Sequence, residues 1–228
     1  MLVTTPVESA ADLVGRWPSR RPRFGDELEI AIDRLGDEGE GLGTHHRLIQ
    51  GEVRRFRIRA PGALPGERAL VSIAGGFRGD IDSLVLEIAA PFSGRVTPPC
   101  PHAAGLPVRP APGQPPEPRC GGCAFQALAL PEQALAKGER LARLVGVSPT
   151  LIAPVIPSPD PFRYRNKVEL TFGHAVGTRE LALGFRPRGY RFEVMALTEC
   201  HLVSEEVSRL IPALGSWALE RGLQPSMR

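Results

Sequence analysis

From Glu27 to Ala90 the chain alternates apolar and polar residues in short runs separated by glycine and proline. "ELEIAID" puts Leu28, Ile30 and Ile32 on one face, and "VRRFRIR" opposes Phe56 and Ile58 to Arg55, Arg57 and Arg59. "RALVSIAG" and "DSLVLEIAA" follow, while "GDEGEGLG" and "APGALPGE" read as turns. Period-2 runs of this length predict β-strands, and several so closely spaced predict a small barrel or sandwich over residues 25–92. Residues 1–24 lack such a pattern. Pro6, Pro18, Pro22 and the cluster Arg20, Arg21, Arg23 predict a flexible arm.

The pattern changes over residues 93–150. The stretch 101–119 is dense in proline and predicts an irregular loop. A helix follows from Pro131, which suits a first helical position. Ala134, Leu135, Gly138, Leu141, Ala142 and Val145 fall on one stripe of it. Residues 151–228 read as a small α+β domain, with strands in "YRNKVELTFG", "ELALGFRPRG" and "RFEVMALTEC". A last helix starts at Ser204 as N-cap with Glu205 and Glu206 favourable to its dipole. Val207, Leu210, Ile211, Leu214, Trp217 and Ala218 form its predicted buried face, Pro212 a kink, and Gly222 its C-terminal cap. The expected fold class is thus mixed β and α+β.

Composition narrows the setting. The 228 residues carry 42% apolar and 23% charged residues and a net charge of +3, ordinary for a globular protein. No apolar run reaches membrane length and no signal-peptide pattern opens the chain, so no membrane association and a cytoplasmic location are expected. Four cysteines are too few for a disulfide scaffold. In a reducing compartment they point to metal or catalysis.

Cys100, Cys120, Cys123 and Cys200 stand in a C-x19-C-x2-C-x76-C pattern. A C-x2-C pair on glycines can converge on one centre, and two further thiolates would complete it. A structural zinc takes four thiolates, and so does a [4Fe-4S] cluster; spacing alone does not separate them. A redox dithiol at Cys120 and Cys123 is the weakest reading, since no βαβ pattern surrounds it. His102 and His201 lie beside candidate ligands and are expected to support the site or lie on the surface. Gln126 is placed to donate to a sulfur or to cap a turn.

"CGGCAFQALALPEQALAKGERLARLVG" resembles the cluster segment of the iron–sulfur RNA (uracil-5-)-methyltransferases, enzymes that use S-adenosylmethionine to make 5-methyluridine in ribosomal and transfer RNA. The resemblance continues through "SPDPFRYRNKVELTFG", "LALGFRPRGYRFEV" and "TECHLVSEEVSRLI". "GDEGEGLG", "PGALPGE" and "GRVTPPC" resemble the TRAM domain, an OB-like RNA-binding barrel. It implies a [4Fe-4S] cluster on Cys100, Cys120, Cys123 and Cys200 rather than zinc. It also implies a TRAM barrel at 25–92, an iron–sulfur segment at 93–150 and an incomplete central domain at 151–228. The Cys100–Cys120 interval departs from the family pattern, which has about five residues there; loop-closure cost grows slowly enough to tolerate this.

The family's S-adenosylmethionine-binding, methyl-transferring domain has no counterpart after these segments, and no cysteine is left over as a nucleophile. No catalytic or cofactor-binding residue is therefore assigned, and the chain alone is expected to be inactive. "GDEGEGLG" lacks the following helix of a phosphate cradle and reads as a turn. Residues 161–191 carry seven Arg or Lys against Glu169 and Glu180, interleaved with aromatics. Arginine beside aromatics suits single-stranded RNA, although charge alone is equally compatible with a solvated strand edge. The resemblance favours RNA, with Arg165, Asn166, Lys167, Arg186 and Arg188 as contacts and Arg55, Arg57 and Arg59 as a second stripe. A monomer is expected. The alternative is a stand-alone RNA-binding iron–sulfur module with no enzymatic activity.

Overall fold

The structure is a computed structural model that describes residues 15–77, 79–107, 109, 111, 119–187, 190 and 192–225. Five strands close into a barrel: β1 (Glu27–Leu35), β2 (Gly41–Ile49), β3 (Glu52–Ala60), β4 (Arg68–Phe77) and β5 (Asp80–Ala90). Their order around the barrel is β1-β2-β3-β5-β4, antiparallel except for the short β3–β5 pairing at Ile58↔Ile81 and Arg59↔Asp82. Leu28, Ile30, Ile32 and Ile58 point into the core, as their alternation predicts, and meet Val71, Ile73 and Ile81 there. Burying each Leu or Ile stabilises by about 1.5–3 kcal/mol.

One strand escapes the alternation. β2, "GLGTHHRLI", is buried on both faces over most of its length. Directly paired residues share a face. The pairs Gly43↔Ile58, His45↔Phe56 and Arg47↔Arg54 therefore place His45 and Arg47 on the inner face, towards one end of the barrel. Arg47 is 1% exposed; it donates to Asp26 Oδ2 at 3.2 Å, to the Arg20 carbonyl at 3.0 Å and from Nε to His45 Nε2 at 3.2 Å. Trp17 meets His45 edge-on at 5.0 Å and packs against the barrel core. The described part of the N-terminal arm is thus a polar and aromatic plug of the barrel rather than a free tail. The plug also explains why an inward strand can carry two such polar side chains: each has a partner, so burial leaves no donor stranded.

After the barrel come α1 (Leu130–Val145), a single 3-10 turn (Pro149–Leu151), the strands β6 (Thr171–Ala175), β7 (Leu181–Phe185) and β8 (Glu193–Ala196), and α2 (Glu205–Glu220). β6 pairs antiparallel with β7 and in parallel with β8, and β7 pairs with β8, so this small sheet also closes on itself. Most of "YRNKVELTFG" lies outside any strand apart from an isolated bridge of Arg165 with Val203; only its end enters β6. α1 has Pro131 in its first turn and ends at Gly146 at φ 72°, with Val147 N–H returning to Ala142 O. α2 starts at Ser204, whose hydroxyl accepts from Val207 N–H, and runs through Pro212. Gly222 at φ 64° and the Leu223 N–H to Ala218 O bond close it.

The predicted buried face of α2 is a correction, and the apolar stripe of α1 is largely uncovered. On α1 only Ala142 is buried, and Leu135, Leu141 and Val145 are exposed. On α2 Ile211 and Ala218 are buried with Ser208, whereas Val207, Leu210, Leu214 and Trp217 are exposed. Periodicity identifies which helix face is apolar, not whether anything covers it. No helix among the described residues is long and apolar enough to cross a membrane.

Candidate metal centre

The four cysteines come from three separate stretches of chain, and local hydrogen bonds bring these together. The interval from Cys100 to Cys120 is pinched at its neck. Cys120 N–H donates to the His102 carbonyl at 2.8 Å, Ala103 forms a parallel bridge with Cys120, and Arg119 donates to the Pro101 carbonyl at 2.9 Å. Its length therefore does not separate the two cysteines. Between Cys120 and Cys123 neither glycine adopts a positive φ. A Cβ at Gly122 would only touch Cys120 Sγ at an ordinary 3.5 Å, and its N–H donates to that sulfur at 3.4 Å. The turn thus supplies an N–H donor to sulfur rather than conformational freedom.

Cys200 is delivered from the far side. His102 Nε2 accepts from Thr198 N–H at 3.0 Å and from the Thr198 hydroxyl at 2.9 Å, tying the Cys100 stretch to the Cys200 stretch. Accepting at Nε2 places the His102 proton on Nδ1. Cys200 N–H donates to Ser208 Oγ of α2 at 2.9 Å. Arg163 donates to the carbonyls of Cys200 and Val203 at 2.9 and 3.1 Å, and its own N–H bonds the His201 carbonyl. Arg163 sits at φ 59°, a conformation that costs a non-glycine residue about 1–3 kcal/mol and that these bonds hold in place. A guanidinium that sequence groups with the RNA-facing cations thus spends its donors on the Cys200 loop. His201 pairs with Glu199 at 3.2 Å and packs edge-on against Phe162. Sequence reasoning missed Thr198 and this use of Arg163 because each acts across a long sequence separation, and Ser208 because its hydroxyl reaches Cys200 only once α2 folds back against the loop.

Cys200 lies buried with Met195, Leu197, Leu202, Val203 and Ile211, and Cys120 and Cys123 pack against that same cluster. Burial pushes the thiols up: Cys120 to about 11, and Cys100 and Cys123 in the same direction, with repulsion from neighbouring cysteines adding to each. Cys100 feels Cys123 and Cys200, and Cys120 feels all three others, so the four sulfurs share one neighbourhood. Thiols raised this way stay protonated and neutral; held as thiolates in the same apolar site they would need a cation to offset their charge. Among the described residues no group of three His, Cys, Asp or Glu side chains is drawn tightly enough to hold a single ion. A tetrahedral zinc needs all four sulfurs at ~2.3 Å from one point. A four-iron cluster spreads its thiolates over four irons. Four cysteine thiols supply the donor chemistry that either group uses.

Gln126 is 8% exposed. Its Oε1 accepts from Cys100 N–H at 3.3 Å; its buried Nε2 has no partner at full hydrogen-bonding geometry, but the amide lies near enough to the Cys123 thiol to favour its thiolate. Beside Cys123 and Gln126 opens a cavity of about 490 Å³, lined among others by Phe125, Lys137, Ile156, Phe162 and Tyr164. Tyr164 is 58% exposed, so it does not face the core.

The basic candidates separate by their partners. Arg165, Asn166 and Lys167 are exposed; Arg165 lies close enough to Cys123 to favour its thiolate, and Lys167 pairs with Glu169 at 2.6 Å. Arg186 is exposed, and Arg188 lies outside the described residues. On β3, Arg55 is exposed, Arg57 pairs with Asp80 at 2.6 Å, and Arg59 is 13% exposed between Glu38, Glu40 and Asp82. The guanidinium of Arg59 is held among these three acids and largely neutralised there.

No family model matches the chain. It is 30% identical over 207 residues to a 23S rRNA (uracil(1939)-C(5))-methyltransferase of Alkalilimnicola ehrlichii, covering 89% of this chain and 40% of that protein. A protein of the same name from Shewanella amazonensis is 28% identical over 197 residues, covering 85% and 39%. An uncharacterized RNA methyltransferase of Caldanaerobacter subterraneus is 25% identical over 202 residues, covering 87% and 40%. The chain thus spans about 40% of the length of the curated relatives it matches. Among solved structures, the Pyrococcus abyssi tRNA (uracil-54, C5)-methyltransferase in complex with S-adenosyl-L-homocysteine shares the fold at a TM-score of 0.51 and 21% identity, over 86% of this chain and 37% of that one.

Proposed function

Since the homologues of this chain are RNA methyltransferases, several of them named for uracil C5 of 23S rRNA, we propose that it is the RNA-recognition and [4Fe-4S]-binding portion of such an enzyme. The observation that carries the cluster reading is the convergence of Cys100, Cys120, Cys123 and Cys200 in one apolar neighbourhood. These four would hold the cluster as thiolates. When bound, it supplies the positive charge that keeps four buried thiolates together, and so staples the proline-rich interval, the C-x2-C turn and the Cys200 loop. Arg163, His102 and Ser208 orient the Cys200 loop for it through the bonds given above.

The strand order β1-β2-β3-β5-β4 supports the OB-like, TRAM-type reading of the barrel, and residues 93–150 and 151–228 are read as the iron–sulfur segment and central domain. RNA binding is assigned to Arg165, Asn166, Lys167 and Arg186 beside the thiol site and to Arg55 and Arg57 on the barrel, with Arg188 completing the distal patch. Arg59 is left out because its acidic partners occupy it. Methyl transfer from S-adenosylmethionine to uracil belongs, in this reading, to the complete enzyme and to a portion of it that this chain does not span.

The test is anaerobic purification with iron and sulfide analysis. Brown protein with broad absorbance near ~400 nm and about four irons per chain is expected, matching one thiolate per iron. Colourless protein holding one zinc refutes the cluster. Cys200→Ser should lose the cluster and loosen the distal sheet. For RNA, fluorescence anisotropy with a uridine-rich hairpin at several salt concentrations should show Arg165→Ala/Lys167→Ala weakening binding and shallowing the salt slope by about 0.7 per lost contact on a single strand. An unchanged slope with fold and cluster intact removes these residues from the interface.

A further inference from the structure

We propose that Gln126 is the positioning residue of the thiol site: its side-chain amide bridges two of the four cysteines and presents an N–H donor to the sulfur of the bound cluster. The inference rests on the cluster reading above and goes beyond it, by assigning a role to a residue that is not a ligand. Three observations carry it. Gln126 Oε1 accepts from the Cys100 backbone N–H at 3.3 Å, which fixes the orientation of the amide. Its Nε2 is then buried with two hydrogens and no partner at full hydrogen-bonding geometry, yet the amide lies near enough to the Cys123 sulfur to favour its thiolate. Gln126 N–H also bonds the Cys123 carbonyl at 3.2 Å, so the side chain starts from the turn that carries the second and third cysteines.

A buried amide donor without an acceptor costs about 1–3 kcal/mol, and native structures rarely keep one without a reason. Here the acceptor close to the amide is the Cys123 sulfur, whose thiolate it favours. Thiolate and sulfide accept hydrogen bonds, and the negative charge of a cluster strengthens them. The interaction grows as the cluster gains an electron, since the reduced form carries one more negative charge. Donors to sulfur therefore raise the reduction potential, one of the ways a protein tunes such a centre. The same donor slows loss of the cluster by stabilising Cys123 as thiolate.

The experiment uses the full 228-residue chain with its cluster reconstituted. Gln126→Met keeps the length and apolar volume of the side chain and removes both donor and acceptor. Its one-electron midpoint potential should fall by ~59 mV or more, which is a tenfold shift of the oxidised-to-reduced ratio at fixed potential. Cluster release to an iron chelator should speed up several-fold. A side chain that merely fills space would leave the potential where it was, so an unshifted potential in brown Gln126→Met protein overturns the inference while leaving the cluster reading intact. If that variant takes up no cluster, the wild-type protein decides. One glutamine side-chain NH2 pair should be paramagnetically shifted in the loaded protein and unshifted after cluster removal. All glutamine pairs unshifted in the loaded protein overturns the assignment. Colourless wild-type protein refutes the cluster reading and this inference together.

Discussion

Arg95→Met should detach the cysteine segment from the barrel. Glu67 is 0% exposed and Arg95 14%, and they pair through Nε to Oε1 at 2.6 Å and NH2 to Oε2 at 2.7 Å. The pair also gathers backbone from four places. Glu67 accepts from Leu64 and Phe92 N–H at 2.8 and 3.0 Å, and Arg95 donates to the Gly62 and Gly105 carbonyls at 2.6 and 3.2 Å. Gly62 belongs to the barrel's β3–β4 turn and Gly105 to the stretch just after Cys100, so one guanidinium spans the seam. Removing it leaves a buried carboxylate with two of its donors and strands two carbonyls. Breaking a buried pair from one side costs about 3–5 kcal/mol, a third or more of a typical folding free energy. At ~2 kcal/mol/M this is a fall of about 2 M in the urea midpoint. Arg95→Lys should recover only part, because an ammonium cannot serve both carboxylate oxygens and two carbonyls at once. Replacing both partners with apolar residues should not restore stability either, since four backbone groups depend on them. The assay is urea unfolding followed by barrel fluorescence, with hydrogen exchange at residues 60–66 and 103–106. A loss under ~1 kcal/mol in Arg95→Met would show that water replaces the guanidinium and that the seam does not depend on it.

Further outcomes follow from the barrel plug and the seam. His45 is buried beside Arg47, with His46 and Arg16 also repelling its charged form and Asp26 favouring it, and its pKa is pushed down to about 4, first by desolvation. The unfolded chain then binds the proton more readily, so the stabilisation is complete above the ordinary value of 6.5 and is lost as pH falls towards 4. The loss should total about 3 kcal/mol, and His45→Gln should flatten the slope in that window; an unchanged slope assigns the loss elsewhere. Asp26, held down to about 2 chiefly by Arg20, adds a further loss of stability as pH falls below 3.8. Gly62 at φ 86° has the Ala104 carbonyl where a Cβ would lie, while Gly66 at the same φ faces open space. Gly66→Ala should cost about 1–2 kcal/mol of backbone strain and Gly62→Ala clearly more by thermal unfolding; equal losses would remove the close packing of the seam.

Local signals read well in this chain. Leu28, Ile30, Ile32 and Ile58 declare the barrel interior because strand alternation is a property of neighbours in sequence. Pro131, Ser204 and Gly222 mark helix ends because caps are satisfied within a few residues. The four cysteines stand out as a candidate ligand set by their chemistry and by resemblance. What depends on distant partners was decided only by the tertiary structure. β2 begins inside the stretch read as a turn and carries no alternation of its own; His45 and Arg47 become inward residues only once Trp17, Asp26 and Arg20 cover the barrel end. Helical periodicity marked apolar stripes on α1 and α2 but could not say that Leu135, Leu141, Leu214 and Trp217 stay uncovered. Arginines that are equivalent in sequence part company by their surroundings: Arg59 is neutralised by acids from two other segments, Arg163 is bound to the Cys200 loop, and Arg165 stays exposed. Sequence supplies each side chain's capacity for charge, hydrogen bonding or burial; which capacity is used depends on the groups that folding brings within a few ångströms.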